Sequence, residues 1–300
     1  MSESRAGSAM VLGFADYEAP ARRLAGAAGL PYAGIEVHHF PDGESLVRLP
    51  PAVPAHTIIF RSLDRPHPRL VEVILAAETA RKLGAERITL VVPYLAYMRQ
   101  DKAFHPGEAI SQRIVGQMLA DVCDALITVD PHLHRVHHLR QAVPAAQAVA
   151  LTATEPMATF LAGHTKRPVL LGPDAESEQW VRDIAVHHGL EYAVGTKKRL
   201  GDRNVRYTLP DFDFGGRHVI LVDDVASTGQ TLVAAASAVF VHRPADVSAL
   251  VTHALFVGDA EPRVRHVGVG RIWSTDSVGH HTNAIELAPL LAGALARLAP

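Results

Sequence analysis

Two aspartates follow an apolar run at Val219-Ile220-Leu221-Val222-Asp223-Asp224, and Ser227-Thr228-Gly229-Gln230-Thr231 comes directly after. Paired carboxylates leaving a buried strand can accept hydrogen bonds from vicinal sugar hydroxyls, or hold a divalent cation through water. The turn that follows presents hydroxyls and backbone N–H groups at a helix N-terminus, which suits a phosphate. An N-capping hydroxyl accounts for Ser227 or Thr228, but not for the acid pair together with Gly229 and Thr231. The string reads as a phosphosugar site.

Four further strings carry chemistry-bearing side chains. In Pro93-Tyr94-Leu95-Ala96-Tyr97-Met98-Arg99-Gln100-Asp101-Lys102, Arg99 can fork onto phosphate oxygens or stack on a base, and Gln100 can read an amide or amine edge. Taken alone, that string is equally an ordinary polar loop. Thr128-Val129-Asp130-Pro131-His132-Leu133-His134, with His137 and His138 behind it, invites a zinc reading, but a transition-metal site wants a further ligand and no cysteine is near. Asp174 follows Leu171-Gly172-Pro173 and could hold magnesium, while Thr196-Lys197-Lys198-Arg199-Leu200-Gly201-Asp202-Arg203 could close over a transferring phosphoryl group or form a solvated basic turn. His39-Phe40-Pro41-Asp42-Gly43-Glu44 contains the Asp-Gly turn signal of a hairpin, on which Phe40 could be a stacking surface.

These strings need elements to hold them in place, and the hydrophobic periodicity supplies those. Thr57 to Phe60, Ile88 to Val92 and Ala125 to Val129 read as strands, separated by helical faces at Leu70, Val73, Ile74, Ala77 and Arg81, stopped by Gly84, and at Ile110, Ile114, Val115, Met118 and Leu119. After the small-residue stretch Ala142 to Ala150 the rhythm restarts. Pro168 to Leu171 is a strand, Glu176 to His188 a helix ended by Gly189, and Tyr192 to Val194 a short strand. Strand, helix and strand recur at His218 to Val222, Thr231 to Val241 and Val247 to Val251. Ala284 to Leu298 closes the chain as a helix that Pro289 starts or kinks. The pattern predicts an α/β protein of two mostly parallel sheets flanked by helices, divided into 1–145 and 146–300. Ligands of such sheets bind at the carboxyl ends of strands, where the polar strings sit.

The acid pair and its turn resemble the phosphoribosyl pyrophosphate-binding loop of type I phosphoribosyltransferases and of ribose-phosphate pyrophosphokinases. The Pro-Tyr-x-x-Tyr-x-Arg-Gln-Asp, Asp-x-His, Lys-x-Arg and Phe-x-Asp-Gly-Glu strings resemble the pyrophosphokinases, in register over nearly the whole chain. The resemblance implies two domains of phosphoribosyltransferase-like fold and transfer of the β,γ-diphosphoryl group of ATP to the C1 hydroxyl of ribose 5-phosphate. It implies Lys197 and Arg199 as catalytic residues, and Arg99, Gln100 and Asp101 as nucleotide-binding. Phe40, Asp42 and Glu44 would reach the adenine of ATP bound by a neighbouring subunit, so that the protein works as at least a homodimer. His132 and Asp174 would meet Mg2+, while Asp223, Asp224, Ser227, Thr228, Gly229, Gln230 and Thr231 would hold ribose 5-phosphate. Ser227, Gln230 and the Ala175-Glu176-Ser177 stretch depart from the common pattern, and Ser227 and the Lys197-Lys198-Arg199-Leu200 loop look archaeal-type. Two other readings keep the fold: a phosphoribosyltransferase or kinase on a related phosphosugar, and a non-catalytic regulatory subunit.

Composition narrows the classes. The 300 residues are about two domains of roughly 150 residues. A net charge of −2 lacks the basic footprint of a nucleic-acid binder. No apolar stretch approaches membrane-spanning length and the start lacks a signal peptide's apolar core. The single cysteine, Cys123, reads as a buried thiol and points to the cytoplasm.

Overall fold

Short β-branched runs become strands here because helices cover both of their faces. The computed structural model describes residues 9–199 and 205–298. The chain forms two units: one runs to Leu151 and regains the chain from Leu287, and the other is Thr152–Glu286.

The first unit contains β1 (Met10–Phe14), α1 (Glu18–Ala28), β2 (Tyr32–His39), β3 (Ser45–Arg48), β4 (His56–Phe60), α2 (Pro66–Lys82), β5 (Arg87–Val91), α3 (Ser111–Ala120), β6 (Ala125–Val129), α4 (Leu139–Ala142) and β7 (Gln147–Leu151). Its sheet has the order β3-β2-β1-β4-β5-β6-β7, parallel throughout except for the antiparallel β2–β3 hairpin. Pro66 opens α2 in its first turn, where its missing N–H leaves no bond unmade. Of the predicted face of α2, Leu70, Val73 and Ala77 are buried and Ile74 and Arg81 half-buried, with Ala76 and Ala80 buried alongside. On α3 the predicted face is only half right: Val115 and Leu119 are buried, but Ile114 and Met118 are 53% and 42% exposed.

The second unit contains α5 (Thr154–His164), β8 (Val169–Gly172), α6 (Glu178–His188), β9 (Glu191–Val194), β10 (Thr196–Arg199), β11 (Val205–Thr208), β12 (His218–Ala226), α7 (Gln230–Phe240), β13 (Asp246–Ala254), α8 (Ala260–His266), β14 (Arg271–Thr275) and β15 (Asn283–Ile285). Six parallel strands take the order β15-β14-β13-β12-β8-β9, and β10–β11 forms a separate antiparallel ribbon. Each unit has its own apolar core: Leu12, Ile59, Leu90 and Leu126 in the first, and Leu171, Leu221, Ala249 and Val251 in the second.

The predicted division at 145 differs from this one in two places. The small-residue stretch around 147–151 is not a linker, because β7 pairs with β6 from Ala125↔Gln147 to Val129↔Leu151 and completes the first sheet. The closing helix α9 (Ala288–Arg297) belongs to the first unit and packs on α1, burying Leu291 and Ala294. It begins later than Ala284, with Pro289 in its first turn, because Asn283–Ile285 pairs with β14. Among the described residues no helix is long and apolar enough to cross a membrane. Cys123 is buried, and that burial, reinforced by Asp124, pushes its thiol pKa up to about 12, so it holds no thiolate at neutral pH.

Candidate active site

In the second unit the strand order reverses between β8 and β12, so the crevice beyond their carboxyl ends is the natural ligand position. Asp174 follows β8 there. Its Oδ1 accepts the backbone N–H groups of Glu176 and Ser177 at 3.1 and 3.3 Å, and the Ser177 hydroxyl donates to its carbonyl at 2.6 Å. Glu176, in the stretch that departs from the common pattern, is exposed and fastens this turn through its amide.

The acid pair lies inside β12 and not beyond it, contrary to the sequence reading. β13 is as long and as apolar as β12, and their ladder continues through Asp223↔Val251 to Ala226↔Ala254. The Asp224 N–H donates to Asp223 Oδ1 at 3.1 Å, and Asp224 is only 4% exposed. Burial above all, then the Asp224 and Asp174 carboxylates, raises the Asp223 pKa well above the carboxylate range. A carboxyl whose pKa is raised on folding stabilises the fold only at low pH, and that contribution is lost as pH rises through its folded pKa. Without substrate or divalent cation, Asp223→Asn is therefore expected to raise Tm near about pH 8, the gap from wild type closing towards about pH 4, while abolishing sugar-dependent turnover. Melting curves across that range check the sign; a gap that widens in acid contradicts it.

Beyond β12 the chain turns through Ser227 and Thr228 into α7, with Gly229 as its N-cap at φ 70°. A side chain there would meet Val264 Cγ2 at 3.0 Å and the Ala260 carbonyl at 3.2 Å, so glycine lets the turn press against α8. Arg263 Nη2 donates to the Thr228 carbonyl at 2.8 Å, and the Val257 N–H to the Ser227 carbonyl at 3.0 Å. Those bonds fasten the carbonyls of the turn to the chain around α8, and Gln230 is exposed and Thr231 half-buried. The structure thus brings Asp174, Asp223, Asp224 and the turn from Ser227 to Thr231 to one pair of strand ends. The backbones of Lys197 and Arg199 lie on β10, their side chains outside the described residues, as is the chain from 200 to 204.

In the first unit, Arg99 and Gln100 lie in the loop after β5, where Arg99 is exposed and Gln100 Nε2 donates to the Lys102 carbonyl at 3.1 Å. Asp101 is different: its side chain is 1% exposed and takes Arg135 Nη1 at 2.7 Å, so it braces the loop and offers the solvent no free face. His132 follows β6, and its Nε2 lies 2.9 Å from His134 Nε2. The Phe40–Glu44 segment joins β2 to β3 as a tight turn, the Phe40 N–H donating to the Glu44 carbonyl at 2.8 Å, with Phe40, Asp42 and Glu44 all exposed. β2 stands three strands from β5. That separates the turn from the Arg99 loop by about 14 Å across the sheet, so one nucleotide's base does not readily lie against both within a unit.

Sequence reasoning missed what holds this turn. Glu72 on α2 is fully buried, and its Oε1 accepts His39 Nε2 at 2.8 Å and the Ser45 hydroxyl at 3.1 Å, one from each side of the turn. Its Oε2 pairs with buried Arg61 Nη2 at 2.6 Å. The only signal was a glutamate within the apolar run of Val71 to Ala77.

The fold and the acid-and-turn site of the second unit define a protein of phosphoribosyltransferase-type domains. Residues 10–122 match the N-terminal domain of ribose phosphate pyrophosphokinase and residues 141–270 the phosphoribosyl transferase domain. The chain is 36% identical over 280 residues to a ribose-phosphate pyrophosphokinase of Methanopyrus kandleri, covering 92% of this chain and 95% of that one. To the ribose-phosphate pyrophosphokinase of Halobacterium salinarum it is 31% identical over 95% of this chain and 100% of that one. Its fold matches the crystal structure of phosphoribosylpyrophosphate synthetase from Mycobacterium smegmatis with a TM-score of 0.82 at 22% identity, covering 97% of this chain and 98% of that one. The chain belongs to the ribose-phosphate pyrophosphokinase family.

Proposed function

We propose that this chain is a ribose-phosphate diphosphokinase, moving the β,γ-diphosphoryl group of ATP to the C1 hydroxyl of ribose 5-phosphate to give phosphoribosyl pyrophosphate and AMP. The observation that carries the reading is the acid pair and phosphate-type turn at the second unit's switch point, in a chain that also keeps the first unit's Arg99–Gln100 loop. A transferase that merely consumes the diphosphate needs no such nucleotide loop.

In this reading Asp223 and Asp224 accept hydrogen bonds from the ribose hydroxyls, and the Ser227–Thr231 turn holds the 5-phosphate. The C1 oxygen forms its bond to the β-phosphorus as the bond to the α,β-bridging oxygen breaks. The hydroxyl proton is lost to solvent and AMP departs. Lys197 and Arg199 neutralise charge growing on the diphosphoryl oxygens, and positioning provides most of the remaining effect. Arg99 and Gln100 hold the nucleotide. Asp101, bonded to Arg135, shapes their loop.

Hard oxygen donors around Asp174 suit Mg2+, and a raised Asp223 pKa marks a place where an added cation offsets crowded negative charge. Asp174 would hold it on the sugar side and His132 would meet it as the ATP complex; it would screen the phosphate charges. The separation of the Phe40 turn from the Arg99 loop supports a nucleotide shared between subunits, with Phe40, Asp42 and Glu44 serving a neighbour's ATP. Exposed Ile114 and Met118 on α3 are consistent with association of copies. The single, unreactive Cys123 suits the cytoplasm.

The test is AMP release from magnesium ATP with ribose 5-phosphate present and then omitted. Sugar-dependent AMP supports diphosphoryl transfer. ADP in its place means a simple phosphoryl kinase, and no nucleotide turnover with any pentose phosphate moves the weight to a regulatory subunit.

A further inference from the structure

The hydroxyl of Tyr207 is buried and has no hydrogen-bond partner among the described residues. Leaving a phenol O–H dry and unpaired typically costs about 1–3 kcal/mol, so such a group calls for a reason. Its ring packs against the second unit's apolar core, which accounts for the ring but not for the oxygen.

The oxygen's surroundings are specific. Burial above all, then the nearby Asp174 and Asp223 carboxylates, raises its pKa above the ordinary phenol value. It is therefore a neutral donor at every working pH. Gly195 makes room for it: a Cβ at that position would collide with Tyr207 Oη and Cζ. The Gly195 N–H donates to the Gly172 carbonyl at 2.8 Å, which fixes this glycine beside the end of β8, just before Asp174. In the β10–β11 ribbon Tyr207 is the register partner of Lys197. The hydroxyl therefore lies beside the end of β8, within electrostatic reach of both acids, on the ribbon that carries the proposed catalytic lysine.

We infer that the Tyr207 hydroxyl is a substrate-binding donor, giving its hydrogen bond to an oxygen of the phosphosugar that Asp223 and Asp224 hold. The identity of the sugar as ribose 5-phosphate rests on the reading under Proposed function. A neutral donor suits this place. A carboxylate pair accepts the sugar's O–H groups but cannot donate to its oxygens, and a lysine or arginine would be neutralised by the acids. Tyr207 completes the set with the one role the aspartates cannot fill.

Tyr207→Phe isolates the hydroxyl, because phenylalanine fills the same space over Gly195. The expected result is a rise of about five- to twentyfold in KM for ribose 5-phosphate, with KM for ATP unchanged. The Tm of the ligand-free variant stays the same or rises, since an unpaired buried donor has been removed. A lower Tm with unchanged KM for the sugar makes the hydroxyl structural and overturns the inference, as does an unchanged KM with an unchanged Tm. The thermal shift given by ribose 5-phosphate alone separates this inference from the proposed activity. If the wild type shows no turnover, a sugar-induced shift that shrinks in Tyr207→Phe still supports Tyr207. No shift in the wild type, or equal shifts in both, overturns it.

Discussion

Lys197→Ala is expected to lower the rate of AMP release by about 10³-fold or more, with the ligand-free Tm unchanged. The magnitude follows from the chemistry. The diphosphoryl group carries its charge on non-bridging oxygens that gain charge as the bond to AMP breaks, and a cation placed for that moment acts mainly on the transition state. The KM values should change much less than turnover, which distinguishes loss of transition-state stabilisation from loss of binding. The substitution leaves the backbone ladder of β10 with β11, from Thr196↔Thr208 to Arg199↔Val205, in place. Lys197→Arg keeps the charge but not its point geometry and is expected to recover only part of the loss. Near-normal turnover in Lys197→Ala removes this residue from the mechanism.

Glu72→Ala is expected to destabilise the first unit by about 3–5 kcal/mol in urea unfolding. The substitution leaves the Arg61 guanidinium, 3% exposed, without the carboxylate that meets it at 2.6 Å. Asp16 is a weaker replacement, 3.2 Å from Arg61 and already engaged with Arg69 at 2.8 Å. Burial already lowers the Arg61 pKa to about 10, Asp16 and Glu72 opposing that shift, so removing one anion strains the charge further. Replacing both partners by apolar side chains of similar volume should recover most of the stability, since the unpaired charge dominates the loss and not the missing bond. Glu72 also anchors His39 and Ser45, so Glu72→Gln, which keeps one acceptor oxygen, should raise KM for ATP more than it lowers kcat. A stability change below about 0.5 kcal/mol in Glu72→Ala would show that the network relaxes around the loss.

Much of the scaffold was legible because its signals are local. Apolar runs such as Ile88 to Val92 can only be satisfied between two helical layers, and the faces of α2 and α6 repeat at helical spacing. The acid pair and its turn were legible for the same reason: acids, turn and helix start are contiguous in the chain. Long-range structure was less so. No residue near 147 announces that a small-residue segment will be the seventh strand of a sheet, because that depends on the edge β6 offers it. The length of β12 likewise depends on its partner β13. The partner that braces Asp101, Arg135, lies 34 positions away, beyond the reach of any local pattern. Glu72 and Tyr207 gave no motif at all, since a buried polar group is defined by what surrounds it.

The return of α9 to α1 has a consequence for how the protein is made. Synthesis runs from the N-terminus, and domains generally fold as units while it proceeds. The sheet of the first unit leaves the ribosome early, yet the helix that covers α1 is translated only after all of Thr152–Glu286. The inserted unit has every one of its own elements available before the enclosing one does. The nascent first unit therefore waits with the α9-facing side of α1 bare until synthesis has passed through the whole of the inserted unit.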